Sequence, residues 1–234
     1  MASRTERPGN KLLRLLTPAA YERLAPKLKK TTLHARDVLY KPNQPIHTVY
    51  FPETAVICQL TVMMNGDTLE TATVGIEGAS WISASIGAPS MPCETVVAIS
   101  GDAHALDIHD LDLEMKENAH FRDLLTQYSH ALLIHCMRMT GCTGLHTLEQ
   151  RCARWILETL DRVSADRFSI THEFLAMLLG VSRPSVSVVI EEFVKDGRLR
   201  VERGRILIGD RDALLKVSCD CYAVIKRNYE QVGR

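Results

Sequence analysis

The chain has 234 residues, enough for two domains, and its 46% hydrophobic and 24% charged residues are typical of a folded protein rather than a disordered one. Its 28 basic and 28 acidic residues give a formal net charge of zero, which argues against a protein that coats nucleic acid along its whole surface. No apolar run reaches the roughly 20 residues that cross a bilayer. The first ten residues also lack the apolar core of a signal peptide, so we expect a cytoplasmic protein with no membrane contact.

Helical and then strand-like patterns occupy the N-terminal half. The stretches NKLLRLL and PAAYERLAPKL are helical in pattern. Between Thr31 and about Ile108, short apolar runs alternate with Pro, Asn and Gly, which predicts several short strands. The dipeptide Asn65-Gly66 lies between two of these runs and favours a type I′ turn, so we expect a β-hairpin there. Short strands at regular spacing predict a β-roll or barrel.

A long helix is predicted after the strands. Between Phe121 and Met139, one seam of residues recurs at alternating spacings of three and four. Its members are Leu125, Tyr128, Leu132, His135 and Met139. Such a seam packs either on the chain's own body or on a second copy, and for a long helix between two domains we favour a dimer interface.

The stretch LLGVSRPSVSVVIEEF, residues 178–193, indicates two helices that meet at Gly180. Thr171 is a suitable N-cap for the helix HEFLAMLL, and glycine adopts the left-handed backbone that ends many helices. Ser182 is a suitable N-cap for the following helix. Pro184 then stands in the first helical turn, where its missing N–H costs little.

The spacing of small and apolar residues in this stretch is typical of a helix-turn-helix. Apolar residues stand where two steeply crossing helices bury side chains, and they are Leu175, Leu179, Val181, Val186 and Val189. Ala176 is small where the helices would touch. Two ordinary amphipathic core helices are the alternative, but they do not account for the polar SRPS start of the second helix.

A basic run follows the helix pair. Its cations are Lys195, Arg198, Arg200, Arg203 and Arg205. Taken alone, the run is equally consistent with a solvated charged surface. However, GRLRVERGRILI also reads as two short strands around Arg203-Gly204, which predicts a wing whose arginines lie close to DNA phosphates.

These motifs resemble the cyclic AMP receptor protein/FNR (Crp/Fnr) family of bacterial transcription regulators. The resemblance runs from about Asn10 to Gly209, with a specific match over the helix pair and wing and a weaker one through VYFPE, MNGD and VGIEG. It implies an α+β fold with three parts. These are a cyclic-nucleotide-binding-like β-roll sensor over 1–112, a dimerisation helix over 113–147, and a winged helix-turn-helix with a C-terminal helix over 148–234.

The resemblance also implies which residues meet DNA. Ser182 and Ser185 are expected to contact phosphates, and Arg183 to read a base edge, as arginine commonly does at guanine. Pro184 stands where the best-known members have a glutamate, and Val188 where a second base-reading arginine is usual, so we expect a different operator. Val188 is suited to a thymine methyl and Ser187 to either base type, while Arg203 and Arg205 of the wing contact phosphates.

The effector pocket departs from the cyclic AMP-binding members. GIEGAS keeps the turn residues Gly75, Glu77 and Gly78 ahead of an expected short helix, although Glu77 is equally consistent with a turn residue alone. The family's Arg-Ser pair for the cyclic phosphate is replaced by MPCETVVA, which holds no cation. The Thr-Ser pair for adenine falls at Cys136 and Met137. A buried phosphate charge would go uncompensated, so we expect no response to cyclic AMP.

The seven cysteines lack framework spacing, which fits a reducing compartment and small buried side chains. An iron–sulfur cluster of the family type is not expected because no cysteine precedes Cys58. Cys219 and Cys221 are too close in sequence for a usual zinc pair, and His130 and His135 lack metal spacing, so neither a metal nor another cofactor is predicted. Cys93 is more consistent with a buried side chain than with a reactive thiol beside the pocket.

The sequence therefore predicts a homodimeric, sequence-specific regulator of transcription. Its expected partners are double-stranded DNA with a near-palindromic operator, RNA polymerase and an unidentified small-molecule effector. Two alternatives remain open. One is an effector- or redox-sensing regulator that uses the roll pocket or Cys93, and the other is a ligand-binding or interaction module with weakened DNA binding. No enzyme is predicted, because the motifs GxSxG, GxxxxGK[ST] and HExxH are absent from the chain.

Overall fold

The computed structural model describes residues 7–80, 88, 90–163 and 165–234, which form a mixed α and β chain. The predicted helices and strands of the N-terminal part are present. They are α1 (Lys11–Arg14), α2 (Pro18–Leu24), β1 (Lys29–Leu33), β2 (Val38–Tyr40), β3 (Thr48–Pro52), β4 (Val56–Val62), β5 (Thr68–Val74), β6 (Glu94–Ile99) and β7 (Gly101–Asp107). The strands form two antiparallel sheets, ordered β1-β7-β3 and β2-β6-β4-β5, as a β-roll requires.

Strands β4 and β5 form the predicted hairpin, but the predicted turn type is wrong. The N–H of Gly66 donates to the carbonyl of Met63 at 2.9 Å, and Gly66 alone in this turn has a positive φ, of 88°. A type I′ turn requires positive φ at both central residues, and Asn65 does not adopt it. The Asn65 side chain instead accepts a hydrogen bond from the N–H of Asp67 at 3.1 Å, which stabilises the turn by another route.

Two helices, rather than one, follow the roll. They are α3 (Ile108–Glu117) and α4 (Ala119–Leu145), so the predicted segment 113–147 includes the end of one helix and all of the next. Asn118 separates them, and its side chain accepts a hydrogen bond from the N–H of Phe121 at 3.1 Å, which caps α4. The short helix predicted directly after Gly78 would fall largely on residues 81–87, which lie outside the described part of the chain.

The C-terminal part contains the predicted helix pair and wing. Its elements are α5 (Leu148–Val163), β8 (Arg167–Ser169), α6 (His172–Leu179), α7 (Arg183–Lys195), β9 (Leu199–Glu202), β10 (Arg205–Ile208), α8 (Arg211–Val217) and α9 (Cys221–Glu230). The three strands form one antiparallel sheet in the order β8-β10-β9.

The C-terminal domain packs directly on the roll. One apolar core joins Val56, Cys58 and Leu60 of β4 to Trp155 and Ile156 of α5, while helix α9 lies along α4. Helix α5 therefore presents one side to the strands of the roll and the other to the helix pair. This packing brings α5 side chains into the part of the roll where an effector pocket is expected.

Among the described residues, no single helix is long and apolar enough to cross a membrane. Helices α6 and α7 meet that criterion only when taken together, and they are bent by 110° with respect to each other.

Candidate nucleic-acid interface and sensor pocket

Local capping sets the geometry of the helix pair. Thr171 Oγ1 accepts a hydrogen bond from the N–H of Phe174 at 3.2 Å, and Ser182 Oγ accepts one from the N–H of Ser185 at 3.4 Å. Between these caps, Gly180 adopts the left-handed conformation, with φ 63° and ψ 41°. The resulting bend of 110° lies in the range of DNA-binding helix-turn-helix pairs.

Helix α7 has a free outer face at its N-terminal end. Ser182, Arg183, Pro184 and Ser185 are exposed, and Val188 exposes 54% of its surface one turn later. Val186 and Val189, on the opposite face, are buried against the domain core. The face that the sequence assigns to DNA is therefore the face that the fold leaves uncovered.

Ser187 differs from the other predicted contact residues. It is only partly exposed, and its hydroxyl lies 2.9 Å from Nδ1 of His172 on helix α6. This hydrogen bond links the two helices near the outer face. Ser187 therefore orients His172 and α7 relative to each other, and it has less freedom to reach a base than Arg183.

The wing has the tight turn that the sequence predicts. Strands β9 and β10 are joined by Arg203 and Gly204, which both have positive φ, of 50° and 77°. Two such residues in a two-residue loop fit a type I′ turn. Arg203 and Arg205 are exposed at the tip of this hairpin.

Arg198, unlike Arg203 and Arg205, is engaged by side chains of its own chain. Its Nε donates to Asp196 at 2.7 Å, its Nη1 donates to Glu149 at 2.8 Å, and its guanidinium stacks on Phe193 at 4.6 Å. This arginine joins α5 to the end of α7. The wing arginines rather than Arg198 therefore provide the basic surface beside the helix pair.

The turn predicted for effector binding is covered by a side chain from the C-terminal domain. Arg162 of α5 donates from Nε to Oε1 of Glu77 at 2.8 Å and from Nη2 to the carbonyl of Thr73 at 3.3 Å. A Cβ on Gly75 would lie 2.5 Å from Cγ of Arg162, and one on Gly78 would lie 2.0 Å from the Tyr128 hydroxyl. The two glycines therefore allow Arg162 and Tyr128 to approach the turn.

A chain of buried charges continues behind this turn. Glu158 accepts hydrogen bonds from Nη1 of Arg154 at 2.9 Å and from Nη1 of Arg162 at 3.1 Å. Burial opposes the charge of Glu158, but Arg154, His135 and Arg162 lower its pKa to about 2, so it is ionised at neutral pH. Glu158 is therefore the central anion between two buried arginines.

A second polar link joins the roll to α5. The Trp155 indole donates to Oε2 of Glu70 at 2.7 Å, and Glu70 also accepts from Cys58 at 3.3 Å and from Thr73. All of these groups are buried. Buried polar groups held in this way specify one relative placement of the two domains.

The other predicted pocket residues differ in their burial. Cys93 is buried with its Sγ 3.9 Å from Sδ of Met91, and burial raises the pKa of the Cys93 thiol. Burial likewise raises the pKa of Cys136, whereas Met137 is 66% exposed on the outside of α4. A raised pKa disfavours the reactive thiolate, so the redox alternative for Cys93 gains no support from its surroundings.

The seam predicted for dimerisation faces the chain's own body. Leu125, Tyr128, His135 and Met139 are buried within one chain, and Leu132 is partly buried against the roll. His135 contacts the Tyr229 hydroxyl of the same chain through Nδ1 at 3.1 Å. In this arrangement the interface residues predicted from periodicity are core residues, which was the alternative that the sequence left open.

Arg154, Glu158 and Arg162 are functional residues that the sequence does not predict. Their i, i+4 spacing on α5 is typical of ion pairs on an exposed helix face, and nothing in that spacing signals burial. Arg162 was identifiable only once α5 was known to pack against the roll. Two glycines around Glu77 indicate that another group packs closely against the turn, but the sequence does not show which group it is.

Comparison with known proteins gives a family match over the C-terminal domain and fold matches over most of the chain. The family described as the Crp-like helix-turn-helix domain matches residues 150–217. The comparison with curated proteins gives no significant match.

Solved structures with the same fold include three bacterial proteins, two of which are described as transcriptional regulators or putative ones. A Crp/Fnr-family protein from Eubacterium rectale has a TM-score of 0.66 and 17% identity, covering 89% of this chain and 98% of its own. FixK2 from Bradyrhizobium japonicum has a TM-score of 0.69 and 16% identity, covering 82% and 98%. A CRP-family regulator from Thermus thermophilus has a TM-score of 0.66 and 16% identity, covering 80% and 96%.

The identities are low, so these structures establish the fold, while the family match assigns residues 150–217 to a DNA-binding domain type. The exposed first turn of α7 and the type I′ wing agree with that assignment. Residues 150–217 therefore belong to the Crp-like helix-turn-helix domain family, and the chain as a whole has the fold of these solved structures.

Proposed function

We propose that the protein is a homodimeric, sequence-specific DNA-binding regulator that does not respond to cyclic AMP. The observation that carries the proposal is the free face at the start of α7, where Arg183 is exposed between the capping residue Ser182 and Ser185. An exposed helix N-terminus with small hydroxyl side chains suits phosphate contacts, and an adjacent arginine suits a guanine edge. The role is regulatory rather than catalytic.

Within each half-site, Arg183 reads a base while Ser182 and Ser185 bind phosphates. Pro184 stiffens the first turn, and exposed Val188 contacts a thymine methyl. Ser187 makes a lesser contribution because His172 already binds its hydroxyl. Arg203 and Arg205 add affinity without base preference, since phosphate contacts carry no sequence information.

The dimer interface lies on the outer face of α4 rather than on the seam that the sequence suggested. Exposed residues recur on this outer face at alternating spacings of four and three, and they are Thr126, His130, Leu133, Met137, Thr140 and Gly144. Leu133 exposes 58% of its surface and Met137 exposes 66%. That spacing is the a and d pattern of a two-helix seam, so a second copy of α4 covers both apolar side chains.

The lack of a cyclic AMP response follows from the charges around the Gly75–Gly78 turn. Glu77 is already paired with Arg162, and residues 91–98 supply no cation for a cyclic phosphate. Any effector acts by competing with the domain contact that Arg162 makes, or it binds elsewhere in the roll. RNA polymerase is the expected protein partner of the DNA-bound dimer.

Selection of bound fragments from genomic DNA tests the proposal. Purified protein is expected to enrich a near-palindromic sequence with half-sites about one helical turn apart. The reason is that the two copies of helix α7 are related by the two-fold symmetry of the dimer. The competing possibility is an interaction module with weakened DNA binding. Fragments enriched no more by the protein than by Arg183→Ala would favour that possibility over the proposal.

A further inference from the structure

Four potential metal ligands meet where the end of α4 touches the start of α9. Cys142 and His146 come from the last turn of α4 and the residue after it, while Cys219 and Cys221 flank Asp220 at the start of α9. One ligand atom from each lies within 4.8 Å of all the others. The residues come together from positions 142–146 and 219–221, so the fold, rather than local sequence, assembles the cluster.

The distances suit a tetrahedral ion. Cys142 Sγ and Cys219 Sγ lie 3.5 Å apart, and Cys221 Sγ lies 3.7 Å from Nδ1 of His146. Zinc bonds of about 2.3 Å to sulfur and about 2.0 Å to nitrogen place tetrahedral ligands roughly 3.5 to 3.8 Å apart. A small movement of the remaining pairs completes such a shell.

The chain supports the geometry on both sides of the cluster. Cys142 lies in the last turn of α4, and His146 follows four residues later as the first residue after the helix, so both side chains come from the same end of α4. The three cysteines are buried, so the fold already protects them from solvent. With four protein ligands and no open position, the arrangement is that of a structural rather than a catalytic metal.

The outer contacts of His146 match those of a metal-binding histidine. Its Nδ1 faces Cys221, while its Nε2 lies 3.5 Å from Oδ1 of Asp220. Arg138 in turn lies 3.5 Å from Oδ2 of Asp220. A carboxylate at the second ring nitrogen fixes the tautomer that leaves the first nitrogen free to coordinate.

The guanidinium of Arg154 is a buried cation on the side of the cysteine cluster that faces the protein interior. Arg154 is fully buried beside Cys142, and its Nε and Nη2 have no hydrogen-bond partner among the residues described. Zn²⁺ with three thiolates and one neutral histidine carries a net charge of −1. A negative complex at this position offsets part of the charge of Arg154.

We propose that Cys142, His146, Cys219 and Cys221 bind one Zn²⁺ ion that fastens α9 to α4. Binding releases the three thiol protons, because thiolates are the metal-binding form. The ion holds α9 so that Tyr229 remains against His135, and it thereby stabilises the packing of the C-terminal domain on the long helix. The competing chemistry is a disulfide between Cys142 and Cys219, which would remove two of the four ligands.

Metal analysis of the full-length protein, purified under reducing conditions without chelator, tests the proposal. We expect about one zinc per chain, and none in Cys219→Ser or Cys221→Ser. Cys136→Ser is the matched control, since Cys136 lies on the same helix outside the cluster. After removal of zinc, added Co²⁺ is expected to give the visible and sulfur charge-transfer absorption of a tetrahedral thiolate site.

Asp220→Asn separates metal binding from folding, because Asp220 is exposed and makes no cap hydrogen bond in α9. Its zinc affinity, measured by chelator competition, is expected to fall about 10- to 100-fold with an unchanged circular dichroism spectrum of the zinc-loaded form. Two results would overturn the proposal. One is reduced wild-type protein with neither zinc nor a cobalt spectrum, and the other is a Cys142–Cys219 disulfide in protein isolated from cells with alkylation of free thiols.

Discussion

Arg162 and Glu77 form an ion pair between the DNA-binding domain and the roll, with Nε and Oε1 2.8 Å apart and both side chains largely buried. The pair uses the carboxylate that the resemblance assigns to an effector. The turn at residues 75–78 therefore contacts helix α5 directly.

Removing Arg162 is expected to destabilise the protein strongly. Arg162→Met should lower the free energy of unfolding by about 3–5 kcal/mol, because it leaves Glu77 and Glu158 with less compensation in a buried site. Urea unfolding measures the difference. Lys27→Met is the control, since Lys27 pairs with Asp110 at 2.9 Å on the surface, and its loss should cost at most about 1 kcal/mol. Equal urea midpoints of unfolding for the two variants would contradict the conclusion that Arg162 stabilises the protein through its buried ion pairs.

Acid is expected to destabilise the protein through His135. Burial lowers the pKa of His135 to about 3 in the folded state. In the unfolded chain His135 is protonated below about pH 6.5, whereas in the folded chain it stays neutral until the pH approaches 3. Stability is therefore complete above pH 6.5 and falls as the pH decreases toward 3, by up to about 1.4 kcal/mol per pH unit. The stabilising charge of Glu158, whose pKa is lowered from 4.5 to about 2, is lost only in the more acidic range.

Unfolding free energies between pH 6.5 and 5 isolate this effect. His135→Asn should show a shallower decrease than the wild type, whereas exposed His130→Asn should not. If wild type and His135→Asn lose stability in parallel, His135 does not remain neutral in the folded state.

Neighbouring leucines on α4 distinguish the two faces of that helix. Leu133→Glu places a charge on the proposed dimer seam and should shift the protein from dimer to monomer in sedimentation, with weaker DNA binding. Leu132→Glu instead places a charge against the roll, so it should lower the free energy of unfolding of the chain itself. A Leu133→Glu variant that sediments as an intact dimer would refute the outer-face assignment.

Cyclic AMP is expected not to bind. Glu77 is engaged by Arg162, and the segment 91–98 offers no cation for the phosphate. Calorimetry should record no heat beyond dilution at micromolar to millimolar nucleotide. Micromolar binding accompanied by a shift in DNA affinity would mean that another cation serves the phosphate and that Arg162 leaves Glu77.

The helix pair and wing were predictable because they depend on local chemistry. Capping at Thr171 and Ser182, the left-handed Gly180 and the turn at Arg203-Gly204 are each encoded within a few residues, and the structure confirms all four. The hairpin at residue 65 was also predictable, although its turn type was not, since Asn-Gly is compatible with more than one turn.

Features that depend on packing between distant segments were less predictable. Periodicity located a seam on α4 but did not say whether the partner was α9 and the roll or a second copy. The burial of Arg154, Glu158 and Arg162 depends on how the two domains dock. For the proposed zinc site a local signal did exist, because Cys142 and His146 have i, i+4 spacing, but Cys219 and Cys221 join them only through the packing of α9 on α4.

The affinity of base-reading and phosphate-binding variants across single-base changes in the selected operator is the most direct test of the central claim. Arg183→Ala should cost roughly 1–3 kcal/mol and relax preference at one position in each half-site. Arg203→Ala should weaken all sequences alike and reduce the salt dependence. A uniform loss for Arg183→Ala together with an altered base preference for Arg203→Ala would contradict the account, because α7 would then not be the helix that reads the major groove.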